Sequence, residues 1–139
     1  MTIHILRHEQ RFNNPTFFTP LTHKGTLNSI KIIKYIETLN IDTIYCSPFL
    51  RCIQTILPYC LKYKIKINIE YSLYEALDSK NFRVYNYDHH HRELYKNWPS
   101  LEKIENKEYK SFLPYEKLKY PENNFQDIFK RIKPFVDTL

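Results

Sequence analysis

The chain has 139 residues, a formal charge of +6 and a hydrophobic fraction of 42%, with aromatic residues spread from end to end. Such a composition excludes a disordered chain and is enough for one packed core at this length. No apolar run nears the roughly 18 residues of a membrane span, and the segment from Met1 gathers charge too early for a secretory leader.

The charge is unevenly placed. Residues 1–70 carry nine Lys/Arg against four Asp/Glu, and residues 71–139 carry twelve against eleven. The positive excess therefore lies in the N-terminal half and suits an anionic partner there, a phosphate or a nucleic acid. Cys46, Cys52 and Cys60 form no metal-spaced pair. An odd number of cysteines without a leader points to free thiols in a reducing compartment. The expected location is cytoplasmic, without a membrane partner.

Thr2–Leu6 is predicted as a first strand, with Ile3 and Ile5 on one face. Residues 10–20, with Asn13, Asn14 and two prolines, read as a loop. Leu27, Ile30, Ile33, Ile36 and Leu39, with Lys31, Lys34 and Glu37 between them, predict a helix. Thr22 is its N-cap candidate and Asn40 its stop. Thr43–Cys46 is β-branched and aromatic, hence a strand. Ser47-Pro48 predicts a helix start, with Phe49, Ile53, Ile56, Leu57 and Cys60 buried and Pro58 kinking or ending the helix. Residues 66–70 alternate as a third strand.

Strand, helix, strand, helix, strand predicts an α/β fold, a three-layer sandwich with a largely parallel sheet. Residues 78–122, rich in Tyr, Lys and Glu, break that rhythm and read as an insertion or lid within a single domain of residues 1–139. Residues 124–139 read as a last helix, with Ile128, Phe129, Ile132 and Val136 on its inner face and Asn124 and Asp127 as a capping pair.

In open α/β sheets, ligands bind beyond the carboxyl ends of the strands. Three predicted strand ends carry chemistry: Arg7-His8, Ser47-Pro48 with Arg51 just after, and Leu73-Tyr74-Glu75. A nucleophile, two guanidinium forks and a carboxyl group are the parts that phosphoryl transfer requires.

Ile5-Leu6-Arg7-His8, Pro20-Leu21-Thr22 with Gly25 and Asn28, Cys46-Ser47-Pro48-x-x-Arg51-x-x-Gln54-Thr55 and Leu73-x-Glu75 follow in order. Together they resemble the motifs of the histidine phosphatases, the phosphoglycerate-mutase-like family. Tyr120-Pro121-Glu122 is similar to a later segment of that family. The resemblance implies that His8 is the nucleophile and becomes a phosphohistidine. It implies that Arg7, Arg51 and Asn14 hold the phosphate, and that Glu75 protonates the leaving oxygen. It implies no metal and no organic cofactor, and a small phosphorylated substrate.

The pattern departs from the family twice. Glu9 stands where the family has glycine, which brings bulk and a carboxylate beside an anion pocket. The family's C-terminal strand with its second histidine is expected to be missing, since the chain ends at Leu139 in or just after the last helix.

The leading reading is thus a phosphohydrolase acting on a small phosphomonoester, impaired to the extent that the missing histidine matters. The alternative is a catalytically degenerate phosphate-binding or interaction protein of the same fold. A nucleic-acid-binding module is the third reading, and it is disfavoured because the positive excess coincides with the phosphatase motifs. His89, His90 and His91 read as a solvated loop, since three adjacent histidines cannot converge on one ion.

Overall fold

The computed structural model describes residues 2–82 and 93–139. Its helices are α1 (His23–Lys31), α2 (Ile33–Ile36), α3 (Leu50–Tyr63), α4 (residues 93–97), α5 (Pro99–Glu102) and α6 (Phe125–Val136). Its strands are β1 (Ile44–Cys46) and β2 (Ile67–Ile69), and they pair in parallel with Ile44 opposite Ile67. The crossover between them is α3, so the chain is α/β, as the element order predicts.

Local signals act where expected. Thr22 Oγ1 accepts from the Gly25 amide at 3.0 Å and caps α1. Asn40, at φ 50°, ends the following turn in the left-handed conformation that Asn tolerates. Asn124 caps α6 through the Asp127 amide. Pro58 lies inside α3, which continues to Tyr63 rather than ending early. The start of α3 differs: Phe49, without a side-chain cap, precedes Leu50, and Pro48-Phe49 form a bend before it.

The predicted first strand does not form. Residues 2–10 adopt no regular structure, and Ile5 is 95% exposed. A strand exists through its pairing. Here β1 pairs with β2, and the far side of β2 is taken by residues 104–106, through Ile67 N–H to Ile104 C=O (2.7 Å) and Asn106 N–H to Ile67 C=O (2.8 Å). Among the described residues the sheet has two strands. The outer edge of β1 has no ladder partner among the described residues, and the alternating pattern of residues 2–6 is not by itself enough to add a strand there.

Two helix faces are also rotated from expectation. In α1 and α2 the buried residues are Gly25, Ser29, Ile33 and Ile36, while Leu27 and Ile30 are exposed. At about 100° per residue, a three-residue step slips back about 60°, so the four steps from Leu27 to Leu39 wrap well beyond one face. In α6, Arg131 and Phe135 point inward while Phe129 and Val136 face outward.

The main core joins α3 (Leu50, Ile53, Ile56, Cys60) to the strands (Cys46, Ile67, Ile69) and to Leu94, Leu101 and Ile104. The segment 78–122 therefore contributes to the body of the molecule as well as linking its parts. Its residues 83–92, with the histidines 89–91, lie outside the described residues. A second, aromatic cluster of Phe17, Phe49, Tyr74, Leu77 and Phe82 lies under the carboxyl ends of the strands. Phe49 meets Phe17 and Tyr74 with ring centroids 5.2 Å apart in each pair.

Candidate functional site at the carboxyl ends of the strands

Arg51 opens α3 just past the end of β1. Its side chain is 1% exposed, and its guanidinium lies 4.4 Å from the centre of the Phe49 ring. Nη1 donates to the Thr16 carbonyl at 2.9 Å, and Nη2 forms an ion pair with Glu75. A buried charge must be paired, or the desolvation cost is several kcal/mol. Thr16 and Glu75 meet that need on two sides. Nε, however, is buried without a hydrogen-bond partner among the described residues, and so is the neighbouring Ser47 Oγ. The Nε–H thus remains an unused donor.

Glu75 reaches Arg51 from the segment after β2. Its side chain is 44% exposed, so the ion pair is dry on the arginine side and open to solvent on the carboxylate side. Two anchors hold the segment. The first is Glu70, fully buried at the end of β2. Its carboxylate accepts from Ser72 Oγ (2.6 Å), Tyr109 Oη (2.6 Å), Ser111 Oγ (2.8 Å) and the amides of Ser72 (3.0 Å) and Phe112 (2.8 Å). Burial alone would raise this carboxyl, but the hydrogen bonds from Ser72, Tyr109 and Phe112 outweigh it and hold it below its ordinary value. Burial and the Glu70 contact push the Tyr109 hydroxyl up, so the shared proton stays on tyrosine.

The second anchor is Arg131 of α6. It makes a two-pronged buried ion pair with Glu122, Nε to Oε1 at 2.5 Å and Nη2 to Oε2 at 2.9 Å. Its Nη1 donates to the carbonyls of Ser72 (2.6 Å) and Tyr74 (2.9 Å), and Nη2 approaches the Glu75 carbonyl at 3.4 Å. Sequence reasoning missed Arg131. The available signal was a charged residue between Ile128 and Phe135 on the inner face of an amphipathic helix, which a buried Glu122 answers.

His8 lies in the irregular N-terminal segment. Its Nδ1 is 2.7 Å from the Glu9 carbonyl oxygen. A carbonyl only accepts, so Nδ1 carries the proton and the lone pair is on Nε2. The next residues are held from three sides. The Glu9 amide donates to Thr55 Oγ1 (3.0 Å), which itself donates to the Arg51 carbonyl (2.7 Å). The Glu9 carboxylate accepts from Asn28 Nδ2 on α1 at 3.2 Å, so the residue in the glycine's place turns toward α1. The Gln10 carbonyl accepts from the Thr22 amide at 2.9 Å, and Gly25 lies against that backbone so closely that a Cβ would overlap the Gln10 carbonyl. The chain's only glycine is therefore required for a close approach.

The structure thus brings Arg51 and Glu75 into contact and ties the His8–Glu9 backbone to the first turns of α3. The other two predicted residues stand apart. Arg7 is exposed and has no hydrogen bond or ion pair among the described residues. Asn14 takes φ 59°, and its carbonyl accepts from Thr19 Oγ1 at 3.1 Å, which is turn chemistry. Without a paired first strand, nothing carries Arg7 to the rim.

Among the described residues no group of three His, Cys, Asp or Glu is placed to hold a metal, and no helix is long and apolar enough to cross a membrane. A cavity of about 460 Å³, lined by Glu37, Asn40, Ile41, Asp42, Tyr59 and Tyr63, lies at the opposite, amino ends of the strands.

Comparison with known proteins shows the family and the fold. The family model described as "Histidine phosphatase superfamily (branch 1)" matches residues 4–139. No curated protein matches the chain in sequence. Among solved structures, the ecdysone phosphate phosphatase from Bombix mori, in complex with tungstate, superposes with a TM-score of 0.57 at 18% identity. The match covers 87% of this chain and 48% of that one, so the chain spans about half the length of that structure. At this identity the likeness concerns the fold.

Proposed function

The chain belongs to the histidine phosphatase superfamily, and we propose that it is a phosphohydrolase acting on a small phosphomonoester through a phosphohistidine on His8. The observation that carries this reading is the pairing of a buried Arg51 with a solvent-reachable Glu75 at the carboxyl ends of β1 and β2. A phosphate dianion that displaces the Glu75 carboxylate meets a desolvated guanidinium, and such a group binds oxyanions strongly.

In the first half-reaction His8 Nε2 attacks phosphorus as the bond to the leaving oxygen breaks. Phosphate takes the place of Glu75 on Arg51, and the released carboxyl group, protonated from solvent, gives its proton to that oxygen. In the second half-reaction water attacks the phosphohistidine, its proton passes to the Glu75 carboxylate, and inorganic phosphate leaves. Arg51 balances the charge of both transition states. Arg7 and Asn14 join the phosphate shell only if the segment 7–14 closes over the bound ligand. No metal or organic cofactor enters this scheme, and the location is cytoplasmic.

The test is turnover of a generic aryl phosphate by the wild type and by His8→Ala, with circular dichroism reporting that both are folded, together with trapping of an acid-labile phosphoprotein. Turnover and trapped phosphate that vanish in His8→Ala support the reading. Rates equal in the two folded proteins refute it.

A second reading, a phosphate-binding relative without turnover, draws on one observation: Arg51 is already engaged by Glu75 and Thr16 while Arg7 and Asn14 stand apart. It expects phosphate binding by calorimetry that weakens in Arg51→Ala, and no trapped phosphoprotein.

A further inference from the structure

We propose that Arg131 is a positioning residue for the general acid, setting the backbone that carries Glu75 while Arg51 meets its side chain; this rests on the reading of Glu75 as the acid. The geometry is that of a fork used to its full extent. One guanidinium on α6 gathers the carbonyls of Ser72, Tyr74 and Glu75 and is itself fixed by two bonds to the Glu122 carboxylate. Glu122 then returns to the same segment, since its Oε2 accepts from the Leu77 amide at 2.9 Å and its own amide donates to the Leu77 carbonyl at 2.9 Å. The chain from residue 72 to residue 77 is thereby held on both sides of Glu75 by one buried ion pair.

The segment needs such a fixture. It follows β2 as a single 3₁₀ turn, Tyr71–Leu73, and then runs without regular structure. The Glu75 side chain is the part left open to solvent. A carboxyl group that must deliver a proton to a leaving oxygen works only within hydrogen-bond reach, and on an irregular backbone that reach depends on what holds the main chain on either side of it. Lysine at 131 retains the charge but not the planar fork, and cannot span the carbonyls and Glu122 together.

The leaving group separates positioning from mere stability. A phosphate ester with a good leaving group, 4-nitrophenyl phosphate, needs little protonation, whereas an alkyl phosphate needs the acid. We expect Glu75→Gln to lose about 10²-fold or more in kcat/KM on the alkyl ester, the usual worth of a general acid, with little change on the nitrophenyl ester. Arg131→Lys is expected to show the same skew, smaller in size. Glu122→Gln, whose amide oxygen can still accept from the Leu77 amide but whose amide nitrogen cannot accept from Arg131 Nε, serves as the second variant if Arg131→Lys does not fold.

The full chain is assayed throughout, with near-ultraviolet circular dichroism on each protein. If the folded variants at 131 and 122 keep the wild-type ratio between the two esters, or lose both equally, the inference is overturned while the phosphatase reading stands. If Glu75→Gln shows no skew, the acid assignment fails and the inference with it. If the wild type turns over neither ester, the phosphatase reading itself is refuted, and with it the role given to Arg131.

Discussion

Replacing Gly25 by alanine tests how the segment that carries His8, the proposed nucleophile, is held. The position is helical, and alanine is favoured over glycine in a helix by about 1 kcal/mol. Propensity alone therefore expects a more stable protein. The structure expects the opposite. An added Cβ would overlap the Gln10 carbonyl oxygen and lie 3.0 Å from its carbon and 3.2 Å from its nitrogen. Carbon atoms settle at about 3.5–4.0 Å and the oxygen overlaps more closely still, so the Gln10 backbone must retreat by about 1 Å or more. The obstacle is main chain, with no flexible side chain to swing away. Overpacking of this kind costs about 1–3 kcal/mol. Retreat also stretches the Thr22 amide bond to the Gln10 carbonyl, now 2.9 Å, worth about 1 kcal/mol.

After the helix preference is subtracted, the net loss is about 2 kcal/mol. Urea unfolding reads it directly: with a slope of about 2 kcal/mol per molar, the midpoint falls by about 1 M. Gln10 is two residues from His8, and a displacement near 1 Å in a reacting group costs roughly 10²-fold in rate, so phosphatase turnover falls as well. A midpoint equal to or above the wild type would refute the close-approach argument, whatever the activity.

Thr55→Val keeps the shape but removes the hydroxyl that joins the Glu9 amide to the Arg51 carbonyl. It is expected to cost about 1–2 kcal/mol and to lower kcat more than it raises KM, with Thr55→Ser restoring both; an unchanged kcat in Thr55→Val would exclude a role for that link. The Glu70 carboxyl is held below 4.5, its ordinary value. Its folded value lies below its unfolded one, so its stabilising share is present above about pH 4.5 and is lost as the pH falls through the folded value. Urea midpoints of Glu70→Gln should be lower than wild type at neutral pH, with the gap closing in acid, and a constant gap would contradict the hydrogen-bonded carboxylate. Burial pushes the Cys52 thiol up to about 11 and the Cys60 thiol up to about 12, and raises Cys46 as well. Few thiolates then exist at pH 8, so a thiol reagent should label the native chain slowly and all three cysteines rapidly in urea; one fast native thiol would be inconsistent with this packing.

Much of the site was legible from residues alone. Arg51 and Glu75 were expected to converge from the ends of two strands, and they meet. Thr22, Asn40 and Asn124 were expected as caps and stops, and each acts so. These signals are local: a cap satisfies an amide three residues away, and β1–α3–β2 is one continuous crossover whose parts cannot pack elsewhere. The family motifs extended that reading to His8, whose identity lies in sequence even though its surroundings do not.

What the sequence could not determine depends on partners distant along the chain. Thr2–Leu6 has the alternation of a strand, but the ladder forms between β1 and β2 and between β2 and residues 104–106, and residues 2–10 do not join it. Arg7 is consequently not carried to the rim, and Asn14 serves a turn. The inner faces of α1 and α6 were misread because apolar spacing names several candidate faces, and only the packed neighbour selects one. Glu9 turned toward Asn28, and Arg131 found Glu122 and three carbonyls around Glu75, for the same reason. The orientation of a buried polar group is set by which partners the fold brings within about 3 Å, a property of the tertiary structure that no local pattern encodes.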